Sequence, residues 1–384
     1  MSPAGEGQAA AWQAFCDRLA ALGPVIEAEA PTPDAAAEGV HHLANQVACW
    51  TTFALGHADP DRPALFRSSD LVYAWGGPNA DQVARRAAVS GDATYRLTGH
   101  MGSCEEMVLQ VKRGAAQSGG AGVAVEVATS ELGLGEGDDI DIVLGGPERE
   151  GRWLPLPADA AFVHVRDYYF DWRATDPATL VLERLGPPLH RRRRTPEHVA
   201  GVLDAAASEV EHSVAFWAGY QERMLAGQAP NAFGEPAGSA GGVQQILYSH
   251  AGIALGEDEA VVVEVDAAGA PMWDVQLYVR PWYEALDAYG RVTSTNHRTA
   301  VAEPGGRVPV VIAGVDPGSP NWLDTEGRAE VLATIRGWRP DRAPVVRAEV
   351  VPLAEVPGAG ALDRPARDEQ RRRRAAHLAW RYRT

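Results

Sequence analysis

From residue 94 onward the chain is written in short alternating runs separated by Gly-rich turns, with almost no helical pattern inside each series. Alternation with a period of two sends one face of every run to a core and the other to solvent or a second layer. A first series falls at 94–98, 106–113, 123–129, 139–144, 161–170 and 179–185, and a second at 260–265, 272–279, 291–295, 308–315, 330–336 and 345–351. Runs that follow one another without crossover helices pair antiparallel. The cadence therefore predicts a mainly β, α+β protein of antiparallel sandwich or jelly-roll-like domains rather than a parallel sheet.

Helical periodicity is confined to the flanks and one central stretch. Trp12, Phe15, Cys16, Leu19 and Leu22 predict a helix over 10–22, ended by Gly23-Pro24. Val40, Leu43, Val47, Trp50 and Phe53 predict one apolar stripe on a helix over 34–55, and 79–88 reads as a short helix. After the basic block 190–194, Thr195 can cap, Pro196 suits the first helical position and Glu197 the first turn. That helix runs to 225, with Val199, Leu203, Ala206, Val210, Val214 and Trp217 on one face. The Gly-, Ala- and Pro-rich stretch 226–242 reads as a linker or mobile loop. The Arg-rich stretch 364–374 reads as a helical tail, solvated or docked on another subunit. The expected organisation is a helical segment 1–60, a β domain 61–190, a central helix and linker 191–242, a second β domain 243–355 and a tail 356–384.

Composition excludes several function classes. With 384 residues, 46% of them hydrophobic and 22% charged, packed cores are affordable and wholesale disorder is not expected. A net charge of -16 argues against nucleic acid as a partner, because a phosphate backbone needs clustered cations. No basic region precedes an apolar run at the N-terminus, and no stretch approaches the ~18 apolar residues of a membrane span. Cys16, Cys49 and Cys104 lie far apart without CxxC spacing. These features predict a cytoplasmic protein with no membrane partner. Lys112 is the one lysine among 35 basic residues, a bias that points to GC-rich bacterial coding. Schiff-base catalysis would have to use it, and its place at the end of a hairpin strand argues against such chemistry.

The usual catalytic motifs are missing: no GxSxG, HExxH, P-loop or strand-to-helix GxGxxG is present. The eleven histidines form no ligand set, and His41-His42 diverge on a helix, so neither a metal nor a cofactor is expected. Asp139 and Asp141 alternate onto a solvated face. His164, Arg166 and Tyr168 share one face of a strand, which reads as a cavity lining or, preferably, as a hydrogen-bonded polar face. The densest candidates lie in the second series: Trp273, Gln276 and Trp282, then Asn296, His297 and Arg298, then a long loop carrying Asp316, Asn321, Trp322 and Asp324, then Arg336 and Trp338. Indole walls with a few Asn, Asp and Arg handles suit a small, largely apolar molecule, with or without an anionic group.

The run Trp153-Leu154-Pro155-Leu156-Pro157, the segment 165–172 and above all Asp316-Pro317-Gly318-Ser319-Pro320-Asn321-Trp322-Leu323-Asp324-Thr325 followed by Arg336 and Trp338 resemble the bacterial domain-of-unknown-function family 1214. The likeness is to its longer actinobacterial members and covers about 15–351. It implies β-rich domains of jelly-roll or barrel type in a family with no generally assigned reaction. Pro78-Asn79-Ala80-Asp81-Gln82 and Thr295-Asn296-His297-Arg298 depart from the family pattern, which implies altered chemistry in a specialised pathway or a binding-only descendant.

The expected function is thus an enzyme, of lyase, isomerase/cyclase or hydrolase type. His297 with Asp316 or Asp324 would transfer protons, Arg336 or Arg298 would anchor an anion, and Trp273, Trp322 and Trp338 would wall the cavity. A non-catalytic binding or assembly protein is the alternative, and a metal-dependent hydrolase or lyase a second one. A homo-oligomer is compatible with all three. The discriminator is whether His297 and a carboxylate of 316–324 open into one cavity.

Overall fold

Alternation and turn chemistry are realised as seventeen strands and five α-helices among the described residues. The computed structural model describes all residues except 1–5, 70–72, 74, 121, 174–175, 188, 190–192, 240 and 382–384. Part of the expected basic block 190–194 lies outside that set. The chain forms two compact units. One holds Met1–Gly76, Val83–Asp167 and Ala178–Gly219, the other Gly77–Gln82, Tyr168–Pro177 and Tyr220–Thr384. The fold is mainly β with α+β character, as the cadence predicts.

The first unit carries α1 (Glu6–Ala20), α2 (Leu22–Glu29) and α3 (Pro33–Gly56), then β1 (Phe66–Arg67), β2 (Gln82–Ala88), β3 (Tyr95–His100), β4 (Glu106–Lys112), β5 (Val123–Ala128), β6 (Asp139–Leu144), β7 (Trp153–Leu154), β8 (Phe162–Tyr168) and β9 (Thr179–Arg184), and most of α4 (Pro196–Leu225). Its sheets run β1-β2-β8-β4-β5 and β7-β6-β3-β9. Every residue of β4 and β8 is buried, so these strands are covered on both faces. The expected helix over 79–88 is instead strand β2, because pairing with β1 on one side and β8 on the other overrides its Ala-rich local preference.

Helix α3 starts as its sequence dictates: Thr32 Oγ1 accepts from Ala35 N, with Pro33 at the first position. Its buried face is not the expected stripe. Ala35, Gly39, His42, Gln46, Cys49 and Trp50 face inward, while Val40 is 53% exposed. The polar Gln46 accepts from Ser213 on α4, and Ser213 accepts from the Trp75 indole, so hydrogen bonding turns the helix away from its most apolar stripe. On α4 the expected face holds, with Ala206, Val210, Val214 and Trp217 buried. Asp139 and Asp141 are solvated and meet His100 and Arg96, as the alternation predicts.

The second unit contains β10 (Ile246–Ala254), β11 (Glu259–Asp266), β12 (Met272–Tyr278), β13 (Ser294–Asn296), β14 (Pro309–Ala313), β15 (Trp322–Asp324), β16 (Glu330–Trp338), β17 (Val345–Pro352) and α5 (Arg364–Trp380), in sheets β10-β16-β12-β13 and β15-β14-β11-β17. Strand β10 is absent from the sequence expectation; Ser249, His250 and Gly252 interrupt its apolar pattern, yet it pairs with β16 along its whole length. The expected linker is tied to this strand through Asn231 N to Gly252 O, Gly234 N to His250 O and Ala237 N to Tyr248 O.

Helix α5 corrects the reading of a solvated tail, because one of its faces is buried. Arg367, Arg374 and Arg381 recur every seven residues on one face, and all are about as buried as core leucines, at 1% exposure. Arg367 lies 5.0 Å over Trp322, Arg374 4.2 Å over Trp172, and Arg381 5.7 Å over Tyr169. Arg374 also donates to Ala288 O, Ser294 O and Ser294 Oγ. Arg374→Ala strands these acceptors and opens a cavity under Trp172. Urea denaturation should show a loss of about 2 kcal/mol; an unchanged midpoint would mean the helix does not hold the unit together.

Candidate functional site

Three of the expected residues come together. Trp273, Arg336 and Trp338 line a recess of the second unit with Tyr168, Phe170, Ile246, Met272 and Asp274. The β12–β16 register explains this, setting Asp274 opposite Arg336 and Met272 opposite Trp338. The recess spans about 200 Å³ only when space open to solvent is counted, and its enclosed part admits about one water molecule. The recess between Trp273 and Trp338 is therefore shallow.

The remaining candidates are held in separate structural niches. Asn321 accepts from Val301 N and donates to Val301 O and Pro309 O, while Trp322 donates to Ala313 O. Asp316 is paired with Arg367 of α5, and Asp324 with Arg291. Gln276 bonds Ala80 N and Pro78 O; Asn296 donates to Phe170 O and accepts from Arg298 N and Thr299 N. Trp282 is core. Arg298 is exposed, and His297 packs edge-on against Phe170 at 4.7 Å. The two carboxylates expected to work with His297 are thus each oriented by an arginine.

Below the recess lies a buried polar ladder. Arg336 donates to Asp274 Oδ1 at 2.8 Å and to the Tyr278 hydroxyl, and Asn79 Nδ2 donates to Asp274 Oδ2 at 3.1 Å. Burial lifts the Asp274 carboxyl to about 6, against the pull of Arg336. His250, hydrogen-bonded to Thr334, is pushed down to about 3 by burial and by Arg336, and so stays neutral. Each donor here has an acceptor, which is the signature of a structural network.

The first unit holds a different arrangement on its five-stranded sheet. Alternation along β8 splits His164 and Arg166 from Asp167, and along β2 splits Arg86 from Arg85. On one face Arg85 is matched by a salt bridge to Asp167. On the other lie Arg86, His164, Arg166, Gln110 and Lys112, each at most 8% exposed. Arg166 donates to Gln110 Oε1, and Gln110 Nε2 donates to Glu126. Arg86 donates to Ser68 and is boxed by the rings of Trp50, Phe53, Trp75 and Phe162 at 4.9–5.8 Å. Burial lowers its guanidinium to about 10.

Two groups on this face are unusual. Burial, reinforced by Arg166 and Arg86, drives the Lys112 ammonium down to about 6, so the amine is largely neutral at pH 7. His164 is driven well below its ordinary value by burial, Arg166, Lys112 and Arg86. Both of its ring nitrogens are buried without a hydrogen-bond partner among the described residues. Such atoms are rare in folded proteins and call for an explanation. The sequence carried the signal, since His164 and Arg166 share a strand face, but the preferred hydrogen-bonded reading does not hold for His164. Lys112 closes strand β4 of the β4–β5 hairpin, as expected, and that strand end is buried. Among the described residues no group of three His, Cys, Asp or Glu side chains could hold a metal ion, and no helix is long and apolar enough to cross a membrane.

No family model matches the chain, and no curated protein is significantly similar to it. Among solved structures, an uncharacterized protein from Burkholderia cenocepacia superposes with a TM-score of 0.81 at 29% identity, covering 90% of this chain and 98% of that one. A protein from Vibrio parahaemolyticus gives 0.46 at 12% identity, covering 80% and 97%. The first likeness places this chain's fold beside that of the Burkholderia protein over nearly its whole length.

Proposed function

We propose that this protein is an enzyme of bacterial metabolism, in line with its resemblance to family 1214, acting on a small molecule with an apolar body and one anionic group. The reading rests on the buried face of the first unit's five-stranded sheet. Its single strongest support is His164, an enclosed imidazole with both nitrogens unengaged beside a basic cluster. A ligand anion would be drawn to Arg166, whose guanidinium donates to the neutral Gln110 amide. The neutral imidazole and the neutral Lys112 amine can accept a proton where protonated forms could not. The rings around Arg86 offer an apolar wall of low polarity.

Thermal unfolding against a panel of apolar carboxylic acids and the matching alcohols tests this directly. Acids should raise the melting temperature, by an amount equivalent to about 2.7 kcal/mol at a hundredfold excess over Kd, and alcohols should not. The shift should vanish in His164→Phe, which fills the same space without nitrogens. Equal shifts with acids and alcohols would sink the reading.

A further inference from the structure

A chain that uses arginine almost everywhere else keeps a single lysine, and keeps it in the interior. On a solvated surface the two residues do much the same work. They differ inside a protein: a guanidinium stays charged, whereas an amine can lose its proton and become a nucleophile. Lys112 sits where only the second property is useful. It is 5% exposed, on the strand face shared with His164 and Arg166, and it closes β4 at a local irregularity. The pairing with β5 shifts register between Val111 and Lys112, which re-aims the side chain at that point. Its carbonyl accepts from Ala161 N beside β8, so the backbone under the amine is fixed.

We propose that Lys112 is a covalent-catalysis residue that forms an imine with the carbonyl of an oxo acid held on this face. The inference deepens the function proposed above and rests on it. In the step, the Nζ lone pair attacks the carbonyl carbon as the C=O π bond opens onto oxygen. One amine proton passes to that oxygen, giving a carbinolamine; the second leaves with the hydroxyl as water while the C=N bond forms. Atoms and charge balance without any further reagent. His164, with an unengaged nitrogen, relays the proton between nitrogen and oxygen. Arg166 holds the acid group. Burial, with the Arg166 and Arg86 charges, disfavours an ammonium here and so keeps the amine in its reactive form.

Borohydride trapping of the full-length protein with phenylpyruvate, an aryl oxo acid, decides the matter. Phenyllactate, which lacks the carbonyl, serves as the binding control. The expected result is a mass gain equal to the acid less one oxygen atom, mapped by peptide digestion to Lys112 and not to the N-terminal amine, and abolished in Lys112→Met. That variant should still show the thermal shift with phenyllactate. A thermal shift by both acids with no adduct at Lys112 overturns the imine while leaving acid binding intact. No shift with either acid removes both readings together. An adduct at the N-terminal amine alone also overturns the assignment.

Discussion

Replacing Asp274 by Ala should destabilise the protein by about 3–5 kcal/mol, read as a shift of the urea midpoint with the slope unchanged. The magnitude follows from what is left behind. Arg336 is 6% exposed and would keep its charge in the interior with only the Tyr278 hydroxyl and the flanking rings of Tyr248 and Tyr278 around it. The Asn79 amide would lose its acceptor as well. Asp274→Asn retains an oxygen toward Arg336 and should lose clearly less. The double change Asp274→Leu with Arg336→Met removes both charges together and should recover most of the deficit, since well-packed apolar groups commonly replace buried ion pairs without loss. If the double variant were as unstable as Asp274→Ala, the ladder would matter for its shape and not for its charge balance.

That network also shows what a sequence can and cannot convey. Period-two runs fixed most strands to within a residue or two: 139–144 is β6 without change, and 272–279 and 345–351 are β12 and β17. Apolar alternation is a local property, and local patterning survives folding. The failures are those of pairing. Gln82–Ala88 has a helix-compatible composition and is a strand because β8 and β1 flank it; Ile246–Ala254 has a broken pattern and is a strand because β16 is continuous beside it. The site was harder still. Trp322, Asn321 and Asp324 stand out in the chain because they are unusual residues in what reads as a loop, yet two of them form strand β15 and each is spent on backbone or on an arginine. Arg367, which claims Asp316, lies fifty-one positions away on α5, a separation no short-range pattern reports. His164 and Lys112 both stand out in the chain, but burial is what gives them chemical meaning. Burial depends on which helices cover the sheet.

Lys112→Met should therefore stabilise the protein at neutral pH, by several kcal/mol at about 1.4 kcal/mol per pKa unit. The sign follows from proton counting. The amine's ordinary value is 10.5 and its folded value about 6, so between those limits the unfolded chain binds a proton that the folded one does not. Stability of the wild type thus falls as pH drops from 10.5 toward about 6, and below about 6 the loss is complete and constant. Methionine has no such linkage, fits the same slender volume and removes the desolvation of the amine. The advantage of the variant should be largest at and below pH 6, shrink steadily through pH 7 to 10 and vanish above 10.5. Chemical denaturation at a series of pH values measures it. A constant difference across that range would show that Lys112 keeps its ordinary proton affinity in the fold, and would remove the neutral amine on which imine chemistry depends. A stability gain with this pH dependence has a wider meaning. A position where an apolar side chain serves the fold better than the natural one is a position retained for something other than folding.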